Sequence, residues 1–463
     1  MGIAISGWTL ARAVSMAGQL GVVSGTGIET VFIRRLQDDG VSDELRSVLD
    51  RFPDRALVDR VVEKYDRRRS SDVAPYRATP MSTHRNVHAA QDLLVLASFC
   101  EVAMAKLGHD GVVGVNLLTK VQIPTVPTLF GAMLAGVDYV VMGAGIPVHI
   151  PGILDRLARA EPVETDLIME GTVSSDQVPI LRFDPSRFVD GATLRRPSFL
   201  GIVSSHVLAS ALMKRSSGSV EGLVVEAPIA GGHNAPPRGT LVLDDEGGPV
   251  YGERDRVDYS VLRHLDVPFW IAGGITSADA VRSAMDEGAT GVQVGTLFAY
   301  CRESGLEQSL KDGVLEAVRS ASVHVATSVS ASSTGYPFKV ASIEGTLSDE
   351  DVYARRERIC DLGYLREAYL KDDGTVGYRC PSEPIEVFIG KGGDVDATTD
   401  RVCLCNALMA SAGLGQLRGA GQREVPIVTS GDCTNELATL VKDRRDYGAC
   451  DVIELLRPST VKP

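Results

Sequence analysis

The chain has 463 residues, 44% of them hydrophobic and 23% charged, which is ordinary globular composition and long enough for an α/β barrel plus appended structure. Its formal net charge of -13 argues against binding DNA or RNA through phosphates, and no apolar run reaches the length of a membrane span. The N-terminal stretch lacks the basic start and small-residue cleavage site of a secretory signal, and eight cysteines are too few for a disulfide scaffold. A reducing, cytoplasmic setting with mostly free thiols is expected.

Short apolar runs alternate with helical stretches up to about residue 310. The runs are 21–23, 111–118, 138–145, 198–205, 222–228, 268–274 and 291–298. Each is apolar throughout rather than alternating, as in parallel strands buried on both faces. Helical spacing marks Thr9–Gly18, Thr128–Ala135, Ile150–Ala158 and Ser277–Glu287. This alternation predicts βαβ units and a (β/α)8 TIM barrel, with Met1–Ile5 as a short eighth strand. Residues 28–110 are too long for one connection and are expected to add a helical insertion. Residues 163–190, with DLIME and VPILRF, are expected to form a β excursion, and the basic run at 67–71 a solvated loop. Past residue 310 the chain turns polar, with a Ser-rich run at Thr327–Thr334. Residues 1–319 are therefore taken as the barrel and 320–463 as a loop-rich C-terminal region packed on it.

Barrel sites form at the C-terminal ends of strands. The last two apolar runs end in Gly273-Gly274 and Gly295-Thr296, each followed by a helical stretch. Glycine lets backbone approach an oxyanion closely, and free N–H groups at a helix start form a phosphate cradle. The sixth strand, run 222–228, leads into EAPIAGGHN, where Gly231-Gly232 presents His233 at the barrel mouth, placed for a base or a hydrogen-bond donor. His206 follows the fifth strand, run 198–205, in the same way and is read as structural or supporting. Asn116 near the end of the third strand, and Ser24, Gly25 and Thr26 after the second, could line the same ligand.

The segments MGIAISGW, VVSGTG, GVNL, EA…GGH, AGGI and GVQVGT occur in that order over about residues 1–310. With them the chain resembles the nitronate monooxygenase (2-nitropropane dioxygenase-like) flavoproteins. That resemblance implies non-covalent FMN in a (β/α)8 barrel. Gly273, Gly274, Gly295 and Thr296 would hold its phosphate, while Asn116, Gln293, Ser24, Gly25, Thr26, Gly231 and Gly232 lie around the flavin. His233 would be the active-site histidine. It implies oxidation of an alkyl nitronate by O2 to a carbonyl compound and nitrite. Pro228-Ile229-Ala230 interrupts the family's compact Glu-Ala-Gly-Gly-His, and the following NAPPRG is also unusual, so substrate choice stays open. The alternatives are an NAD(P)H-dependent enoyl-thioester or quinone reductase, with an acyl carrier as partner, and a non-catalytic flavin-binding accessory protein. A homo-oligomer is a further option.

Cys360, Cys380, Cys403 and Cys405 fall together in the C-terminal region. Four thiolates could bind a structural zinc, although the C-x2-C spacing of zinc ribbons is missing. Buried free thiols, or an iron–sulfur or redox role, are the other readings, with Cys433 and Cys450 as further candidates.

Overall fold

The computed structural model describes residues 2–66, 74–85, 87–171, 174, 177–191, 193–432, 435–442 and 444–458. The basic run at 67–71 and Cys433 lie outside them. The centre is a seven-stranded parallel sheet in the order β1-β2-β3-β6-β7-β8-β9. Its strands are β1 (Gly21–Ser24), β2 (Val113–Leu118), β3 (Tyr139–Gly143), β6 (Ser198–Val203), β7 (Gly222–Glu226), β8 (Phe269–Ala272) and β9 (Gly291–Gln293). The two strands left out of it, β4 (Val163–Asp166) and β5 (Ile180–Phe183), pair antiparallel as a separate ribbon. The β excursion therefore uses VETD rather than DLIME as its first strand.

The strands are apolar on both sides because each side has its own core. Val141, Leu200, Val224 and Ala272 cluster on one face of the sheet, with Val22 and Trp270 against them. Their neighbours Val140, Met142, Phe199, Leu223, Val225 and Ile271 belong to the larger core shared with the helices. One residue's shift along a strand moves a side chain from one core to the other.

Helices α1 (Trp8–Met16), α2 (Ile28–Asp39), α3 (Asp43–Leu49), α4 (Arg55–Tyr65) and α5 (Val87–Ala105) precede β2. α6 (Thr125–Leu134), α7 (Ile150–Ala158), α8 (His206–Arg215), α9 (Tyr259–Arg263) and α10 (Ala278–Asp286) connect later strands. Ser277 caps α10 by accepting from Ala280 N, as the Thr-Ser-Ala-Asp start suggests. α5 and α6 pack so closely that a Cβ on Gly131 would meet Val95 O at 2.2 Å. Among the described residues no helix is long and apolar enough to cross a membrane.

Residues 3–6 form a turn, not an eighth strand. The turn closes on itself, with Ile5 N donating to Gly2 O at 3.3 Å. Ser6 then hooks onto β1, its carbonyl accepting from Ser24 N at 2.8 Å and its hydroxyl donating to Val22 O at 2.5 Å.

After β9 come α11 (Thr296–Ala299) and α12 (Gln308–Arg319), then the pairs β10 (Val325–Ser328) with β11 (Phe338–Ala341) and β12 (Glu367–Leu370) with β13 (Val376–Arg379). Short helices α13 (Glu350–Arg355), α14 (Ile385–Gly390), α15 (Leu404–Ser411) and α16 (Asn435–Val441) follow. The last helix, α17 (Ala449–Leu456), packs against α1 on one side and α10 and α11 on the other. The C-terminal part thus spans from the β1 edge of the sheet to its β9 edge.

Candidate functional site

A cavity of about 1220 Å³ opens at the C-terminal ends of the strands. Thr26, Asn116, Gly231, Gly232, His233, Gly273, Gly274, Gln293, Gly295 and Thr296 all line it. Ser24 and Gly25 sit just behind its wall. Ser24 is buried with no partner for its hydroxyl, and Gly25 N donates to Asn116 O at 2.8 Å. Asn116 is held by its own amide, which donates to Val141 O at 3.0 Å. His206 is not part of the lining; its Nδ1 accepts from Asp258 N at 3.1 Å, which makes it a structural loop tie.

The two glycine turns have the backbone a cradle requires. Gly273 and Gly274 hold φ of +92° and +73°, where side chains are disfavoured. A Cβ on Gly273 would press on Ala227 and on Ala230 N at 3.2 Å, whereas the space in front of Gly295 is open. These turns fit an FMN phosphate: bare backbone at Gly273-Gly274, open space at Gly295, and the Thr296 hydroxyl. Thr296 Oγ1 already accepts from Gly431 N at 2.9 Å, which leaves its proton free to donate.

Gly431 belongs to a turn that sequence reasoning missed. Residues Thr429–Asp432 come from the far end of the chain and lock onto the loop after β7. Gly232 N donates to Thr429 Oγ1 at 2.9 Å and Asp432 N to Ile229 O at 3.3 Å. A Cβ on Gly231 would meet Gly431 N at 2.9 Å. The buried Lys339 ammonium binds Asp432 at 2.7 Å and Thr327 Oγ1 at 2.7 Å, pinning the turn from behind. The run of apolar residues before Thr-Ser-Gly-Asp was the available signal, since it repeats the strand-then-glycine pattern of the two glycine turns.

His233 pairs with β11 as an isolated antiparallel bridge to Phe338, and its ring meets the Phe338 ring edge-on at 4.9 Å. Its Nε2 lies 2.7 Å from Ser332 Oγ. Burial pulls its pKa down to about 4, so the ring is neutral at pH 7. Glu226, the last residue of β7, lines the same cavity, and burial pushes its carboxyl up to about 7. A carboxylate closing a wholly apolar strand was the signal for it. Two titrating groups in one cavity are thus driven in opposite directions.

The four C-terminal cysteines do not form the expected zinc site. Among the described residues no group of three or more His, Cys, Asp or Glu is placed to hold a metal ion. Cys403 and Cys405 are instead packed into an apolar cluster with Leu404, Leu408 and Met409. The Cys405 thiol's hydrogen bond brings Cys403 down to about 7, and Asn406 Nδ2 also donates to Cys403 Sγ at 3.6 Å. Burial raises Cys360 to about 12. Cys403 and Cys405 are thiols satisfied by packing and by each other.

Comparison with known proteins fits this geometry. Residues 191–340 match the family model described as nitronate monooxygenase. Over 94 residues the chain is 32% identical to a probable nitronate monooxygenase of Staphylococcus haemolyticus, covering 20% of this chain and 25% of that protein. Over 110 residues it is 29% identical to a (3aS,4S,5R,7aS)-5-hydroxy-7a-methyl-1-oxo-octahydro-1H-indene-4-carboxyl-CoA dehydrogenase of Rhodococcus jostii, covering 24% and 27%. The matched part is about a quarter of the length of these curated relatives. Among solved structures, FabK from Thermotoga maritima aligns at TM-score 0.46 and 14% identity, over 97% of this chain and 88% of that one. Nitroalkane oxidase from Streptomyces ansochromogenes aligns at 0.45 and 15%, over 98% and 92%.

Proposed function

We propose that the chain, whose residues 191–340 match the nitronate monooxygenase family model, is an FMN-dependent oxidoreductase acting on carbon acids, with alkyl nitronates and O2 as its substrates. One observation carries this reading: residues from the ends of all seven sheet strands, among them the two glycine turns, Glu226 and His233, line a single cavity. We take the parallel sheet as the greater part of a (β/α)8 barrel, with residues 28–110 as its helical insertion and 320–463 as the region that completes the site. A reducing, cytoplasmic setting is part of this reading, as eight cysteines in 463 residues suggest.

Gly273, Gly274, Gly295 and Thr296 would hold the phosphate, and Asn116 and Gln293 would contact the flavin. When bound, FMN supplies the redox chemistry, and the protein's part is placement and protons. His233 is neutral at working pH, so it meets the bound ligand without adding charge to the site. Glu226, with its carboxyl poised near neutrality, is better matched than His233 to move a proton. A nitronate already lacks its carbon-bound proton, so a weakly basic histidine is sufficient for it.

A second reading is favoured by the size of the cavity. At about 1220 Å³ it exceeds the roughly 300–1,000 Å³ of ordinary ligand sites and leaves room beyond the cofactor for a large substrate. The relative named as a carboxyl-CoA dehydrogenase adds a CoA thioester as a substrate class, and the second reading is therefore a flavin enoyl-thioester or quinone reductase using NAD(P)H.

Anaerobic flavin reduction, followed by absorbance with an alkyl nitronate and with NAD(P)H side by side, separates the two. Bleaching by nitronate, and nitrite release on admitting air, supports the first reading. Bleaching by NAD(P)H alone moves the assignment to the second. Binding without any reduction favours an accessory protein, and a chain that takes up no FMN overturns all three.

A further inference from the structure

The Ser-rich run 327–334, which in sequence looks like a linker, holds Ser332, whose side chain is bonded to the His233 ring. We propose that Ser332 is a positioning residue: it accepts a hydrogen bond from His233 Nε2–H, fixing the imidazole as the tautomer whose Nδ1 is left unprotonated for the ligand. This rests on His233 being the active-site histidine.

Geometry supports the direction of that bond. Ser332 is fully buried, and its Oγ lies 2.7 Å from Nε2 and 2.8 Å from Thr334 Oγ1. A hydroxyl carries a single proton. Thr334 N–H also points at Ser332 Oγ, at 3.2 Å, and takes one of its acceptor positions. Thr334 Oγ1 can take the serine proton, and in the arrangement we propose donation runs from the ring to Ser332 and on to Thr334. Nε2 is then occupied, and Nδ1 is the ring nitrogen left for a ligand.

The serine is itself immobilised. Arg401 Nη1 donates to the carbonyls of Ser330 and Ser332, and Val402 N donates to Ala331 O at 2.9 Å. Lys120 Nζ donates to Thr334 O at 2.8 Å while lying over the Tyr336 ring. A ring whose partner is held from both sides keeps one orientation without help from a ligand. The partner and its clamp, Arg401, come from outside the strand that presents the histidine.

The test is nitrogen-15 NMR of the full chain labelled at histidine, with His233→Gln used to assign the His233 signals. Long-range proton–nitrogen correlations report the tautomer directly and need no turnover. The expected result is a single neutral tautomer protonated at Nε2 near pH 7, converted in Ser332→Ala to a mixture of tautomers and restored in Ser332→Thr. Unmoved signals from the other histidines show that the variants keep their fold. A wild-type His233 protonated at Nδ1 overturns the proposal whether or not Ser332→Ala folds, and so does an unchanged tautomer in that variant. If no flavin or substrate is ever found to bind, the proposed function falls, yet the tautomer measurement still decides the role of Ser332.

Discussion

Replacing Glu226 with glutamine isolates the cost of keeping a carboxylate inside the cavity. In the folded chain its pKa is raised from 4.5 to about 7 by burial. Below pH 4.5 the carboxyl is neutral in both folded and unfolded chains, and the stability it allows is fully present. As pH rises through 7 the unfolded chain ionises freely while the folded one resists, so that stability is lost across this window. A difference of roughly 2.5 pKa units corresponds to at most about 3 kcal/mol, reduced by whatever water in the cavity solvates the charge. Glu226→Gln should therefore be more stable than the parent at pH 8.5, with the gain fading to nothing near pH 4.5. Urea denaturation at a series of pH values measures this. An equal offset between the two proteins at every pH would mean that the carboxyl is not held in a poorly solvating site, and the argument from Glu226 would fail.

Four further substitutions test the surrounding structure. Gly273→Ala forces a side chain into φ of +92° and against Ala230 N, an expected cost of about 1–2 kcal/mol in the left-handed region; FMN affinity measured by flavin fluorescence should fall about tenfold, more than that of riboflavin, which has no phosphate. An equal effect on both flavins would remove the turn from the phosphate site. Asp432→Asn leaves Lys339, only 5% exposed, without its counter-charge, whereas Lys339→Met leaves Asp432, 39% exposed, facing solvent. The first should lower the urea midpoint more than the second, and the reverse order would refute the view that the lysine is the costly partner. Glu424 bridges Arg356 and Arg418 with only 3% exposure, so Glu424→Gln should destabilise by about 3–5 kcal/mol; an unchanged midpoint would show that the network is inert.

What could be seen in the sequence was whatever rests on neighbours along the chain. The parallel strands announced themselves because each packs into a core on both faces. Gly273-Gly274, Gly295-Thr296 and the Gly231-Gly232-His233 turn followed from their position after a strand. Contacts made through space left no such trace. Ser332 lies 99 positions from His233, and the Ser-rich run around it has the composition of a linker. Thr429–Asp432 carries the same strand-then-glycine pattern as the turns at Gly273-Gly274 and Gly295-Thr296 but stands outside the βα count. The N-terminal run was apolar enough for a strand, yet it turns at residues 3–6 to let Ser6 bond to β1. The cysteines were read by number and spacing, which cannot distinguish a metal cage from thiols packed into a core.

The Thr429–Asp432 turn also sets the order in which the site can come into being. Thr296, Gly231 and Gly232 leave the ribosome well before the segment that closes over them, and loops of that length close slowly. A nascent chain that has folded its sheet still carries an open, apolar mouth at the ends of β7–β9. A cofactor gripped by the β8 and β9 turns on one side and enclosed by the C-terminal turn on the other would bind only the closed form. By mass action it would then draw the closing segment onto the sheet, so that loading and the final step of folding become one equilibrium.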